Sequence, residues 1–179
     1  MTNYTFNLLF VLIASAVTHA HAHAGGQFVI NDYKAARSQY LFKKLYVNTG
    51  KSVYCGTSIP FPSTEKLTGE HVYPADWIAK HFGCDNRKSN HPDYKRAEAE
   101  LHNLWPEIGR INSSRSDLEY GVIDDSLNAH RFKKLFDDFE RTSASGGNQV
   151  FVEPRDSVKG NIARSLFICM LNMACCLKI

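Results

Sequence analysis

Thr68-Gly69-Glu70-His71-Val72-Tyr73-Pro74-Ala75-Asp76-Trp77 sets a carboxylate directly beside an imidazole and then interrupts the local structure with Pro74. A histidine exchanges a proton near neutral pH and a carboxylate holds a hard divalent cation, so the two neighbours offer both halves of a hydrolytic site. Successive side chains of a strand point to opposite faces, so Glu70 and His71 serve one site only where the strand ends or bends. Pro74 supplies such an end. Taken alone, a Glu-His pair is more often a surface glutamate beside a partly buried histidine.

Upstream of this stretch, Phe28, Tyr33, Ala36, Tyr40, Leu41 and Leu45 fall at helical spacing, and Asn48-Thr49-Gly50 breaks the pattern. Lys51 to Ser58 reads as a strand, Pro60 and Pro62 as a turn, and Ser63 to Val72 as a second extended segment. Downstream, His81 to His91 is a loop carrying Cys84, Arg87 and Lys88. Tyr94, Ala97, Leu101 and Leu104 predict a helix that Pro106 terminates. Asn112 and the serines after it suit the cap of a short helix. Ala129 to Phe139 predicts a further helix with Phe132, Leu135, Phe136 and Phe139 on its apolar stripe. A Ser-Gly loop, a short strand at Val150 to Val152 and a last helix beginning near Ser157 follow. Ser165 to Ile179 is too short for a membrane span and predicts a buried terminal helix. The expectation is one α+β domain, mainly helical.

The chain of 179 residues has a formal charge of only +3, so a nucleic-acid footprint has to be a local patch rather than a bulk property. No charged side chain precedes Asp32, and the apolar run Leu8 to Val17 leads into Ala20-His21-Ala22-His23-Ala24. That arrangement predicts a signal peptide over residues 1 to 24, a mature domain over 25 to 179, and export to the periplasm or medium. Cleavage there removes His19, His21 and His23, which otherwise form a small metal-collecting tract. Export permits disulfides, and Cys55 and Cys84, which bracket the Glu70-His71 stretch, are the expected pair among five cysteines. Such a bridge closes a loop of roughly thirty residues and contributes on the order of 3 to 4 kcal/mol.

Four segments together, Glu70-His71-Val72-Tyr73-Pro74-Ala75, Leu101-His102-Asn103-Leu104-Trp105-Pro106, Ile108-Gly109-Arg110-Ile111-Asn112 with Arg115-Ser116, and Glu153-Pro154-Arg155 through Lys159 to Arg164, resemble the bacterial endonuclease I family. The resemblance implies a ββα-metal, or His-Me finger, core and an exported, sequence-nonspecific nuclease. It implies His71 as general base, Glu70 and Asn112 as the protein ligands of a single Mg²⁺, and Arg87 directed at the phosphate. It also implies 5′-phosphate products from DNA, with RNA as a further substrate, and the chain is expected to act as a monomer. Arg110, Arg115, Lys159 and Arg164 are expected to form a phosphate-tracking patch, while Arg155 in its Pro-Arg-Asp turn reads as structural. His102 and Asn103 are expected to hold the metal-site helix by hydrogen bonding.

The segment Ser165 to Ile179, with Cys169, Cys175 and Cys176, departs from the family's pattern and suggests a truncated carboxyl end. That departure sustains an alternative, a catalytically inactive remnant that binds nucleic acid without turnover. The two are separated by metal-dependent cleavage against salt-dependent binding alone.

Overall fold

A computed structural model describes residues 29–60, 66–124, 132–135, 139–142 and 150–174. Two antiparallel strands, β1 (Leu67–His71) and β2 (Leu104–Ile108), form its centre, in a register that sets Glu70 opposite Trp105 and His71 opposite Leu104. Helix α4 (Gly109–Arg115) leaves β2 without a linker. Between the two strands the chain inserts α2 (Ala75–His81), α3 (Pro92–Glu98) and a 3₁₀ turn at Leu101–Asn103. Pro74 sits at the N-cap of α2 and Pro92 in the first turn of α3, positions where a missing N–H costs nothing.

Helix α1 (Tyr33–Ala35), capped by the Asp32 carboxylate on Ala35 N, continues as a π-helical segment over Ala36–Leu45, where the Tyr46 N–H reaches Leu41 O. This unit buries Ala36 and Leu41 with Ile30, Ala99 and Leu104 against the strand pair. A second sheet has the order β3 (Glu119–Tyr120), β6 (Phe151–Glu153), β5 (Phe139–Thr142), β4 (Phe132–Leu135), with β3 and β6 parallel and the other pairs antiparallel. The largest core cluster joins the two sheets to α4 and to the last helix, α5 (Asp156–Ala174), through Tyr54, Val72, Ile111, Phe139, Val152 and Ile162. A third cluster packs Ile78 and Tyr94 on Cys169 and Met173 of α5.

The mixed α+β class stands, and helices cover more of the described residues than strands do, but individual elements differ from expectation. Within the span expected as a helix over Ala129 to Phe139, the described residues instead form strand β4 and the first residue of β5, paired from Phe132 with Thr142 to Leu135 with Phe139. Ladder pairing and the burial of Phe139 against Tyr54, 5.0 Å between ring centroids, outweigh the helical spacing of the phenylalanines. The helix expected over Tyr94 to Leu104 stops at Glu98, and Pro106, expected to end it, lies inside β2. A two-stranded sheet has only edges, so a residue without an N–H is tolerated there, and the Pro106 carbonyl accepts from Val53 N. Lys51 to Ser58 is a turn closed by one bridge rather than a strand, with Gly56 at φ +66°.

The expected disulfide is not formed. Cys55 packs against the Val53 and Tyr54 cluster and Cys84 against the Ile78 and Tyr94 cluster, both as thiols. Helix α5 is amphipathic rather than wholly buried: Val158, Ile162, Ser165, Cys169 and Met173 face inward while Phe167, Met170 and Leu171 are exposed. Among the described residues no helix is long and apolar enough to cross a membrane. The expected signal peptide with its histidines, and most of the Ser-Gly loop, lie outside the described residues.

Because Phe139 carries the contact of the second sheet with Tyr54, Phe139→Ala should lower the unfolding free energy by about 3 to 5 kcal/mol in urea titrations.

Candidate active site

Strand β1 ends at His71, and a buried amide holds the chain where it leaves the strand. Asn103 accepts from Tyr73 N at 2.6 Å through Oδ1 and donates from Nδ2 to Tyr73 O at 2.9 Å, while its own carbonyl takes the Val72 N–H. Asn103 therefore fixes the exit from β1, not the helix it was expected to hold. With the strand ended, Glu70 and His71 both line one cavity of about 340 Å³, together with Asp76, Arg87 and Asn112.

Glu70 is 2 % exposed. Its Oε1 accepts from Tyr54 Oη at 2.7 Å and lies 3.5 Å from Arg115 Nη1. Tyr54 Oη in turn shares a hydrogen bond with Tyr120 Oη. Burial raises the Glu70 carboxyl to about 7 and outweighs the opposing pull of Arg115 and Tyr54. Glu107, also buried, is held by Tyr54 N at 2.6 Å and Ile108 N at 2.8 Å, which fixes the turn that presents Tyr54.

The half-buried His71 ring sits 4.9 Å from that of Tyr33, whose hydroxyl donates to Gly69 O. His71 Nε2 lies 2.8 Å from Glu98 O. A carbonyl only accepts, so Nε2 carries the proton and Nδ1 is the basic nitrogen of the neutral ring. Burial lowers the His71 pKa to about 4, helped by the positive charges of Arg87 and Arg115, so the ring is neutral at pH 7.

Asn112 reaches the cavity from α4, and its Nδ2 donates to Thr68 Oγ1 at 3.0 Å and Gly69 O at 3.2 Å. With both donors turned back onto β1, the acceptor Oδ1 is the end of the amide left for a ligand. Glu70 and Asn112 thus offer a donor set of hard oxygens that suits a cation retaining most of its water. The described residues contain no group of three or more His, Cys, Asp or Glu side chains able to enclose a metal. Arg87 is exposed at the rim, its Nε 3.2 Å from Asp76 Oδ1.

The phosphate-tracking patch is not assembled as expected. Arg115 is 1 % exposed and spends its guanidinium on the carbonyls of His71, Val72 and Ser116 and on the Tyr120 ring, leaving Nε without a partner among the described residues. It is an internal cation because α4 packs directly beneath the end of β1. Lys159 is neutralised by Glu153 at 2.5 Å and Asp156 at 2.6 Å. Arg110 and Arg164 are exposed and lie outside the cavity lining. Arg155 is structural, as its turn suggested, with Nε on Val53 O. Sequence reasoning missed Tyr33, Tyr54, Tyr120 and Asp76, whose roles exist only through contacts between segments far apart in the chain.

Compared with known families, residues 10–174 match Endonuclease I. The chain belongs to the endonuclease I family. It is 30 % identical over 149 residues to Endonuclease-1 of Buchnera aphidicola, covering 69 % of this chain and 56 % of that protein. An extracellular deoxyribonuclease of Aeromonas hydrophila is 25 % identical over 185 residues, with 89 % of this chain and 75 % of the relative covered. A periplasmic deoxyribonuclease of the same organism is 25 % identical over 147 residues, with 68 % and 59 % covered. The chain therefore spans between about half and three quarters of the length of these endonuclease I relatives.

The pair at the base of this endonuclease I cavity is asymmetric: Arg115 keeps three carbonyls and a ring if Glu70 loses its charge, whereas Glu70 without Arg115 is a buried carboxylate with no cation beside it. A carboxyl with a raised folded pKa contributes stability below its unfolded pKa, and that contribution disappears as pH rises through about 7. At pH 8 and without metal, Glu70→Gln should therefore be no less stable than the parent, while Arg115→Met should lose about 3 to 5 kcal/mol in chemical denaturation.

Proposed function

We propose that the chain is an exported, Mg²⁺-dependent, sequence-nonspecific endonuclease that hydrolyses phosphodiester bonds of DNA to 5′-phosphate and 3′-hydroxyl products. The observation that carries this reading is the neutral His71 ring, oriented by Glu98 O and sharing a cavity with Glu70, Asn112 and Arg87. The order β1, β2, α4, with base and carboxylate at the end of one strand and the amide on the helix, supports a ββα-metal core. Export rests on the apolar leader ending near Ala24, and the names of the two Aeromonas relatives agree with it.

In this reading the attacking water lies against His71 Nδ1, which takes its proton while Nε2–H remains on Glu98 O. The resulting imidazolium is short-lived in a site whose burial disfavours it, so the proton passes readily to solvent. Arg87 meets a non-bridging phosphate oxygen, exchanging the partly exposed Asp76 for a charge-assisted contact with substrate. Glu70 and Asn112 would hold Mg²⁺, which when bound supplies charge neutralisation for the phosphate and its leaving oxygen. Arg115 and Tyr54 act through Glu70, keeping its carboxylate at a fixed angle to the cavity.

Purified protein should nick and linearise plasmid DNA with Mg²⁺ and leave it intact in EDTA, and His71→Ala should lower the rate by about 10²- to 10⁴-fold in a chain that remains folded. Intact plasmid from a folded chain that still binds DNA would transfer the assignment to the non-catalytic remnant. Arg87→Ala should retain folding and lose on the order of 10²-fold in rate, read from the same gels.

A further inference from the structure

A second concavity, of about 290 Å³, opens on the far edge of the strand pair from β1. Its lining is largely apolar, with Leu45, Leu101, Leu104 and Ile168 beside the half-buried rings of Tyr46 and Trp105, whose centroids are 6.5 Å apart and inclined at 52°. Its rim is polar and cationic, carrying Arg164 and His102. We propose that this groove is a subsite for one base and its adjoining phosphate in a single-stranded stretch of nucleic acid.

Three observations converge on that occupant. Half-buried aromatic rings in an apolar groove can stack on any base, and a cation at the edge of the same groove meets the phosphate that follows. Arg164 is placed for that purpose: its partner among the described residues is the neutral Asn161 side chain, whereas Lys159 on the same helix faces two carboxylates. The groove is also built rather than incidental. Trp105 Nε1 donates to Ser165 Oγ at 3.0 Å, Ser165 Oγ donates to His102 O at 2.7 Å, and the buried Glu100 carboxylate holds His102 N and Nδ1. The indole and the imidazole are thereby locked while the imidazole side chain stays 68 % exposed.

The subsite deepens the nuclease reading and rests on it for its biological meaning. Trp105 and Leu104, which line the groove, are the cross-strand partners of Glu70 and His71, which line the first cavity, so one ladder carries residues of both. The chemistry favours an unpaired base, because a base inside a duplex has both faces covered.

The test uses the full chain carrying His71→Ala, in EDTA, so that binding is read without cleavage. Thymidine tetranucleotide is titrated while the two tryptophan indole N–H signals are followed by NMR, the Trp105 signal being assigned with Trp77→Phe. Saturable movement of the Trp105 signal is expected, with affinity about five- to tenfold weaker in Arg164→Ala and in Tyr46→Leu. Arg164 is exposed, so its variant should remain folded. An unmoved Trp105 signal at saturating oligonucleotide, or unchanged affinity in Arg164→Ala, would overturn the subsite. So would movement with an apolar peptide but not with the oligonucleotide, which would mean a protein partner. Plasmid cleavage by the unsubstituted chain is scored separately: cleavage with a silent groove removes the subsite alone, and groove binding without cleavage removes the nuclease reading alone.

Discussion

Everything around the candidate site depends on keeping the Glu70 carboxylate out of bulk water. A carboxylate at 2 % exposure is unfavourable unless charge and hydrogen bonds surround it, and here those come from two separate parts of the chain. Arg115 arrives from the last turn of α4 and Tyr54 from the turn before β1. Arg115 also reads the carbonyls of His71 and Val72, so the group that balances Glu70 is the one that clamps the end of its strand. Displacing α4 would uncover the carboxylate, loosen the strand exit and move Asn112 away together. The cavity and the fold around it are therefore one cooperative unit.

The same constraint explains how two adjacent residues serve one site. In β1, Glu70 turns toward Tyr54 and the large core, while His71 turns toward Tyr33 and the first helix. Their side chains begin on opposite faces of the strand, as alternation requires. They meet because the cavity lies across the strand's end, where Asn103 has taken over the backbone groups that β2 no longer pairs. Pro74 then starts α2, which contributes Asp76 to the wall and, through it, the position of Arg87.

What could be read from the sequence follows from how local each feature is. Glu70, His71 and Asn112 stood out because the chemistry of a hydrolytic site and the order of short motifs are both visible along the chain, and the structure does bring the three to one cavity. Arg115 was misread as a surface cation because an arginine one turn beyond a ligand looks the same whether it faces solvent or the strand beneath. The phenylalanines near Phe139 were misread because their spacing satisfies a helix as well as a hairpin, and the ladder with β6 that decides the matter involves residues some ten positions away. The aromatic supports Tyr33 and Tyr54 act across 16 to 36 residues of sequence separation, where no local pattern reports them.

A net charge of +3 is small for the polyanionic substrate proposed for this chain, and the structure commits several of the expected cations to internal partners. Arg115 and Arg155 are turned inward and Lys159 is paired with two carboxylates. In the proposed reading affinity would therefore come from a few well-placed cations together with non-ionic contacts. Arg87 at the cavity rim and Arg164 beside the aromatic groove are placed for that, on either side of the same strand pair. In the proposed reading such an arrangement would hold a backbone at both points and stack a base in the groove, and would tolerate any sequence because every base has a face to stack and every linkage a phosphate to hold.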